Sequence, residues 1–208
     1  PKDLTDGVIE RFAKLRSLMP ALHLPVQSGS DAVLAAMNRR YTRAHYLDLV
    51  RKLRAACPGI ALSTDVIVGF PGETAKDFED TFRLVDEVGY HQVFTFIYSK
   101  REGTPAAKME DSTPREVVQE RFDRLVDLVQ TRAFEANQAD LGSVVDVRVE
   151  GASKRDGGLL AGKSPKNQTV HAPVPSGSTA EALAGSIVPV RIDEARTWYL
   201  AGEVVDGR

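Results

Sequence analysis

The chain has 208 residues, of which 42% are hydrophobic and 27% are charged, and its formal net charge is −2. This composition is typical of a globular protein with one large or two small domains, and it excludes a whole-chain electrostatic attraction to nucleic acid or membranes. No apolar run is long enough to cross a bilayer, so we expect no membrane partner. The single cysteine, Cys57, excludes an internal disulfide and favours a reducing compartment, the cytoplasm.

The first two thirds of the chain alternate helical and strand patterns. We predict helices over 4–17, 30–37, 42–57, 74–88 and from 115 onward, and strands over 22–26, 60–68 and 92–98. This βαβα order with right-handed crossovers predicts an α/β fold, either a (β/α) barrel or a doubly wound sheet. Three strands are too few to close a barrel, and the chain begins at Pro1 without Met, so we expect a further segment upstream.

Residues 63–73 are the most informative stretch. The β-branched run 66–68 predicts a strand buried on both faces, and the glycine-containing turn 69–72 leads into a helix capped by Thr74. In such folds the catalytic and ligand-binding residues lie where the strands end, at the carboxyl edge of the sheet. The two glycines of the turn would let backbone N–H groups approach a small molecule there, although plain βα turns without a ligand are equally common.

The pattern changes after residue 137. Short alternating strands are predicted at 142–150, 159–162, 168–172, 187–192 and 198–204, joined by Gly-, Ser- and Pro-rich segments. Five short strands in about seventy residues predict a small all-β barrel of the kind that often binds oligonucleotides. We therefore divide the chain into two domains, 1–137 and 138–208.

Six stretches taken together are similar to one family. They are residues 23–30, 33–42, 63–74, 98–107, 150–155 and 162–167. In order and over nearly the whole chain, they resemble the radical-SAM methylthiotransferases. The Gln-Ser-Gly-Ser turn at 27–30 resembles the tRNA-modifying branch of that family more than the branch that modifies a ribosomal protein.

The resemblance implies a partial (β/α) radical-SAM barrel followed by a TRAM domain, which is an OB-like β-barrel. It implies an enzyme that attaches a methylthio group to C2 of N6-isopentenyladenosine beside the tRNA anticodon. The implied cofactors are S-adenosylmethionine, as methyl donor and radical source, and two [4Fe–4S] clusters. Cysteines of an N-terminal domain and of a Cys-x-x-x-Cys-x-x-Cys loop hold those clusters in the family, and this chain has neither set. We therefore expect the C-terminal part of the enzyme, inactive alone, with no catalytic or metal-ligating residue in it.

The candidate cofactor contacts lie at strand ends. Gln27 and Ser28 offer amide and hydroxyl groups to the cofactor, with turn formation as the alternative. Asp65, among apolar neighbours, is a candidate to orient the cofactor amine or a neighbouring arginine, with structural pairing as the alternative. The resemblance adds strand positions that would pack against the adenine, with core packing as the alternative: Val68, Gly69, Phe70, Phe94 and Phe96.

Cations at the same edge are candidates for an RNA loop entering the barrel mouth. Arg39, Arg40 and Arg101 flank it, together with Tyr41 and Lys100. An arginine can bind a phosphate with two hydrogen bonds or stack on a base. A solvated surface position is the alternative for each of them.

The second domain has eight lysines and arginines against nine aspartates and glutamates, so it is not basic overall. Four cations nevertheless lie in two adjacent turns and predict a local phosphate-binding patch: Lys154, Arg155, Lys163 and Lys166. Tyr199 is predicted to stack on a base, and Trp198 to be buried. The histidines have no metal-ligand spacing.

These observations predict a tRNA anticodon stem-loop and S-adenosylmethionine as partners. Two alternatives stay open at this point. The chain could serve only as an RNA-binding or assembly module without cofactor affinity. It could also belong to a methylthiotransferase that acts on another tRNA adenosine or on a ribosomal protein.

Overall fold

The computed structural model describes residues 1–110 and 113–205. Two compact units make up this part of the chain. The first comprises Pro1–Leu18 and Leu22–Arg132, and the second comprises Met19–Ala21 with the chain from Ala133 onward. The domain bounds 1–137 and 138–208 remain a prediction.

The first unit has the alternating order of a (β/α) fold. Its helices are α1 Asp6–Lys14, α2 Asp31–Ala36, α3 Arg43–Ala56, α4 Ala75–Val88 and most of α5 Arg115–Gln138. Its strands are most of β1 Ala21–His23, β2 Ala61–Val68 and β3 Gln92–Ile97. The sheet order is β1-β2-β3, and β2 and β3 run parallel. The predicted strand over 22–26 is shorter than expected, because Pro25 has no N–H for the ladder.

The helices begin where the sequence places short polar side chains. Ser30, Thr42 and Thr74 each accept a hydrogen bond from the backbone N–H three residues further on. Thr74 also forms a reciprocal capping box with Asp77, and α4 ends at Gly89 in the left-handed region. These predicted helix boundaries are confirmed. No helix among the described residues is both long and apolar enough to cross a membrane.

Helices cover one face of the sheet. On that face of β2, Thr64, Val66 and Val68 are fully buried. Val66 and Val68 pack into a single core with side chains from four helices, among them Ile9, Tyr46, Leu53, Phe78, Leu84 and Leu125. This core supplies most of the hydrophobic stabilisation of the unit, since fully burying one such side chain contributes about 1.5–3 kcal/mol.

The opposite face of the sheet is open. Asp65 and Ile67 are only partly buried, and their neighbours on β3, Phe94 and Phe96, are 43% and 50% exposed. The prediction that run 66–68 is buried on both faces is therefore wrong for Ile67, whose side chain points away from the helices. In a (β/α) barrel this open face is the one that lines the interior.

The second unit is a closed five-stranded barrel. Its strands are β4 Val144–Ala152, β5 Leu159–Lys163, β6 Thr169–Pro173, β7 Ile187–Ala195 and β8 Leu200–Val204, in the spatial order β4-β5-β6-β8-β7. Alternate side chains fill its interior, including Val147, Val149, Leu160, Val170, Ile192 and Leu200. The predicted small all-β barrel is confirmed. A one-turn helix, α6 Ala180–Leu183, lies within the stretch predicted as a loop.

The turn after β2 depends on a close approach between Gly69 and α5. Gly69 has φ +74°, a conformation that residues with a Cβ rarely adopt. A Cβ at this position would lie 2.5 Å from Cγ1 of Val118. Gly72 has φ +85° in the same turn, but a Cβ there would meet no atom within 4 Å.

We expect Gly69→Ala to lower the free energy of unfolding of the first unit by about 2–4 kcal/mol, because backbone strain adds to the clash with Val118. The matched variant Gly72→Ala introduces backbone strain without a clash. We expect it to lower the free energy of unfolding by about 1–2 kcal/mol. Urea denaturation followed by helical circular dichroism measures both. Equal unfolding midpoints for the two variants would contradict the packing argument.

Candidate functional site

A cleft of about 480 Å³ lies at the carboxyl edge of β2 and β3. Its lining combines three kinds of side chain. The apolar ones include Ile67, Phe96 and Ile97, the polar ones include Gln27, Asp65 and Tyr98, and the cationic ones are Arg39 and Arg101. The structure therefore brings together five predicted cofactor or RNA contacts, Gln27, Asp65, Phe96, Arg39 and Arg101, at the edge of the sheet where ligands bind in such folds.

Gln27 is fixed against β2 by its backbone. Its N–H donates to the Asp65 carbonyl oxygen at 2.9 Å, and its own carbonyl oxygen accepts from the Ile67 N–H at 2.9 Å. Its φ is +70°, which is uncommon for a residue other than glycine. Strained backbone of this kind concentrates at functional sites, and here it directs the chain past the cleft.

Asp65 pairs with a histidine. Its Oδ1 lies 3.5 Å from His23 Nε2, and His23 Nδ1 lies 3.0 Å from the Ser63 hydroxyl. The His23 ring also packs edge-on against Phe94, with centroids 5.9 Å apart. This contact fits the structural pairing that the sequence left open for Asp65, with a histidine as the partner, and a cofactor contact by Asp65 stays a prediction. Sequence analysis missed His23 as a site residue, because its position depends on the pairing of β1 with β2.

Tyr98 presents an unpaired hydroxyl at the cleft. Its oxygen is buried and has no hydrogen-bond partner among the described residues. Its backbone N–H donates to the Val68 carbonyl oxygen at 2.9 Å, and its ring packs edge-on against Phe70. An unsatisfied buried polar group costs about 1–3 kcal/mol, and a ligand that reaches it would remove that penalty.

Other predicted cofactor contacts lie behind the cleft. Ser28 is fully buried, and its hydroxyl lies 3.1 Å from the Thr81 hydroxyl. Val68 and Phe70 are 0% and 5% exposed. Their side chains support the cleft from the core side, which is the alternative that the sequence left open.

The Gly69 N–H, proposed from the sequence to face a ligand, already has a partner within the chain. It donates to Glu73 Oε1 at 3.3 Å. Arg121 Nη1 of α5 donates to the same Oε1 at 2.9 Å and to the Glu73 carbonyl oxygen at 3.1 Å. The Glu73 and Arg121 side chains are 1% and 10% exposed. Burial raises the pKa of Glu73, and the hydrogen bonds from Gly69 and Arg121 oppose that rise.

Of the predicted RNA contacts in the first unit, Arg39 and Arg101 line the cleft. Arg40 is exposed but does not line it. Neither Arg39 nor Arg101 has a carboxylate partner in the part of the chain that the structure describes. Their charges are therefore available to an anion.

The four predicted cations of the second unit do not form one patch. Lys154 and Arg155 lie in the β4–β5 turn and line a cleft of about 720 Å³ on the barrel surface. Lys163 and Lys166 lie at the opposite end of β5. Successive turns of antiparallel strands lie at opposite ends of the strands. Lys163 Nζ donates to Thr169 Oγ1 at 2.9 Å, and Lys166 Nζ is 2.7 Å from Asp140 Oδ1.

Trp198 is exposed instead of buried, and the stacking role of Tyr199 stays a prediction. Trp198 is 55% exposed and Tyr199 is half-buried, and both line the second-unit cleft. The prediction that Trp198 is buried is wrong, because β8 begins at Leu200 and Trp198 belongs to the preceding turn.

Both units match known families. Residues 1–85 match the family model described as the Radical SAM superfamily, and residues 138–205 match the TRAM domain. The first part of the chain is thus similar to the radical SAM superfamily, and its last part is similar to the TRAM domain. A solved structure described as coproporphyrinogen III oxidase (HemN) from Escherichia coli, a radical SAM enzyme, has a TM-score of 0.53 at 14% identity. The structural match covers 79% of this chain and 45% of the HemN chain, and it supports the radical-SAM fold.

Curated relatives extend the match to the methylthiotransferase branch. The chain is 50% identical over 206 residues to the tRNA-2-methylthio-N(6)-dimethylallyladenosine synthase of Geobacillus kaustophilus (strain HTA426), and 48% identical over 205 residues to that of Alkaliphilus oremlandii (strain OhILAs). Each alignment covers 99% of this chain, but 38% and 42% of the relatives. The chain thus spans about two fifths of their length. The resemblance to the radical-SAM methylthiotransferases is confirmed.

The radical SAM superfamily implies iron–sulfur clusters, and the residues of this chain do not fit one. Such clusters are held by several thiolates, whereas Cys57 is the single cysteine. Cys57 is partly buried and packs against the first-unit core. Within residues 1–110 and 113–205, no group of three or more His, Cys, Asp or Glu side chains could hold a metal ion.

We expect Arg121→Met to lower the free energy of unfolding of the first unit by about 3–5 kcal/mol near neutral pH, because Glu73 is left buried without its cation. Removing Arg121 also raises the pKa of Glu73 further. An acid whose pKa is higher in the folded than in the unfolded state favours folding when protonated, so the loss shrinks as the pH falls through the folded pKa. Urea denaturation at neutral and mildly acidic pH measures this.

The control is the double variant Glu73→Gln/Arg121→Met, which removes the buried charge. It is expected to recover part of the lost stability and to lose the pH dependence. If Arg121→Met lowered the free energy of unfolding by the same amount at both pH values, the assignment of Glu73 as the buried charge would be contradicted.

Proposed function

We propose that this chain supplies the cofactor-binding and RNA-binding parts of a tRNA methylthiotransferase that modifies C2 of N6-isopentenyladenosine beside the anticodon. The observation that carries the proposal is the 48–50% identity, over nearly the whole chain, to relatives named tRNA-2-methylthio-N(6)-dimethylallyladenosine synthase. The [4Fe–4S] clusters of such an enzyme would be held by cysteines outside these 208 residues.

The first-unit cleft suits S-adenosylmethionine. Ile67 and Phe96 offer apolar surface for the adenine, while Gln27 and Asp65 offer an amide and a carboxylate for the hydroxyl and amino groups. The unpaired Tyr98 hydroxyl is a further hydrogen-bonding group. When bound, S-adenosylmethionine supplies the methyl group and the radical. The chain's own residues orient it and exclude water on the apolar side.

Arg39 and Arg101 support an RNA substrate at the same cleft. Both are exposed and line the cleft beside its apolar surface. Guanidinium groups bind phosphates with two parallel hydrogen bonds and also stack on bases. An RNA loop that brings its adenosine to the cofactor would find its phosphates matched by these two cations.

The second unit supports docking of the anticodon stem-loop. It is a closed β-barrel, and such barrels bind oligonucleotides on their strand faces and loops. Lys154 and Arg155 are exposed and have no carboxylate partner among the described residues, so their charges are free to bind phosphates.

We expect S-adenosylmethionine to bind the chain with a dissociation constant of about 1 mM, since the cluster that anchors it in the family is not part of these residues. Phe96→Ala should weaken binding by roughly tenfold, as burial of a phenylalanine contributes about 1.5–3 kcal/mol. Ligand-observed NMR titration measures this. Phe134→Ala is the control, because Phe134 has similar exposure and lies outside the cleft. No saturable binding would favour an RNA-binding module without cofactor affinity.

We expect the chain to bind a tRNA anticodon stem-loop with salt-dependent affinity. Changing Lys154 and Arg155 to Ala should weaken binding about 2- to 30-fold, because each exposed ion pair contributes about 0.2–1 kcal/mol. It should also reduce the slope of log K against log salt concentration by about 1.4–1.8. Fluorescence anisotropy of a labelled stem-loop measures both quantities.

The matched control changes another adjacent pair of cations, Arg51 and Lys52 of α3, which already have the carboxylate partners Asp48 and Asp6. It should leave the affinity and the salt slope unchanged. Equal losses in the two double variants would show general charge attraction and count against the patch.

A further inference from the structure

The floor of the second-unit cleft includes two alanines, one on either side of a histidine. Ala161, His171 and Ala201 are direct cross-strand partners on β5, β6 and β8, so they form one row on the outer surface of the barrel. Both neighbours of His171 in this row are alanines. They leave room above the strands for a planar group, as larger side chains would not.

The rim of the cleft combines one exposed aromatic ring with two free cations. Trp198, 55% exposed, comes from the β7–β8 turn, and Lys154 and Arg155 come from the β4–β5 turn. The carboxylates of Glu150 and Glu194 also line the cleft. They are paired with arginines on their own strand or turn, Arg148 and Arg196, and Asp156 Oδ1 accepts from the Gly158 N–H. The lining charges without an oppositely charged partner among the described residues are Lys154, Arg155 and Asp156, so cations outnumber carboxylates in this unpaired set.

His171 is incompletely hydrogen-bonded within the described residues. Its ring packs edge-on against Tyr199, with centroids 5.5 Å apart. Its Nδ1 is buried and has no partner in that part of the chain. Native structures leave few buried polar atoms unpaired. An unpaired atom of this kind therefore indicates a place where a water molecule, an ion or a ligand completes the hydrogen bonding.

We propose that this cleft takes one unstacked nucleobase of a single-stranded RNA segment, stacked on the Trp198 indole, with the flanking phosphates at Lys154 and Arg155. The inference rests on the proposed function and names the part of the RNA that this unit reads. An aromatic platform beside free cations is the arrangement that binds single strands, because every base has a π-face and every linkage a negative charge. A base held in a duplex cannot reach such a platform, so the cleft selects unpaired loop nucleotides.

The chain contains one tryptophan, so tryptophan emission reports this cleft alone. The experiment titrates the chain with a dye-labelled anticodon stem-loop and, separately, with a blunt RNA duplex of the same composition. Anisotropy of the dye reports binding anywhere on the chain, and quenching of Trp198 reports stacking in the cleft. We expect the stem-loop to quench Trp198 with the dissociation constant given by anisotropy, and the duplex to leave the emission unchanged.

Variants extend the test to affinity. Trp198→Ala is expected to weaken stem-loop binding about 5- to 150-fold, the range measured when one base loses its aromatic partner. Trp198→Phe keeps a ring and should recover most of the affinity. Ile187→Ala is the matched control, since Ile187 is 67% exposed on the same barrel and lies outside the cleft.

The outcomes separate this inference from the proposed function. Stem-loop binding without quenching, and with unchanged affinity in Trp198→Ala, would overturn the nucleobase site and leave the tRNA function standing. Equal quenching by the duplex would also overturn it. Quenching by any unpaired RNA with no preference for the stem-loop would support the site and count against an anticodon substrate. No binding of either RNA would overturn both.

Discussion

The buried ion pair between Glu73 and Arg121 is the contact on which the geometry of the first-unit cleft depends. Desolvation opposes burying either charge, and the pair is retained because Glu73 also accepts the Gly69 N–H while Arg121 also donates to the Glu73 carbonyl. These bonds fix the turn after β2 against α5. The direction in which β2 ends then determines where Ile67 lies beside Phe96, and hence the apolar side of the cleft.

The open face of the sheet gives that cleft its chemistry. Because helices cover only one face, apolar side chains such as Phe94 and Phe96 stay exposed beside Asp65 and His23. Exposed apolar surface next to polar groups marks a place where a ligand or another protein segment is bound. The same division into a core face and an outer face recurs on the second unit, where Leu160 fills the barrel while Ala161 lies under the surface cleft.

Local physics made much of the fold predictable. Ser30, Thr42 and Thr74 cap helices through bonds to residues three positions away, and such signals are contained in the sequence. The candidate site was harder to predict, because its contacts join residues that are far apart in the sequence. His23 contacts Asp65 only when β1 pairs with β2. No pattern of neighbouring residues indicates that Arg121 binds Glu73, because 48 positions separate them. The second-unit cations were misjudged for a related reason: adjacency along the chain does not place two turns at the same end of β5.

We propose that the chain acts in tRNA methylthiolation, and mass spectrometry of tRNA nucleosides is the direct test of this function. The measurement compares tRNA from cells that have and lack the gene encoding this chain. We expect deletion to replace 2-methylthio-N6-isopentenyladenosine by N6-isopentenyladenosine, and the intact gene to restore the methylthio group. Unchanged amounts of the methylthiolated nucleoside after deletion would contradict it.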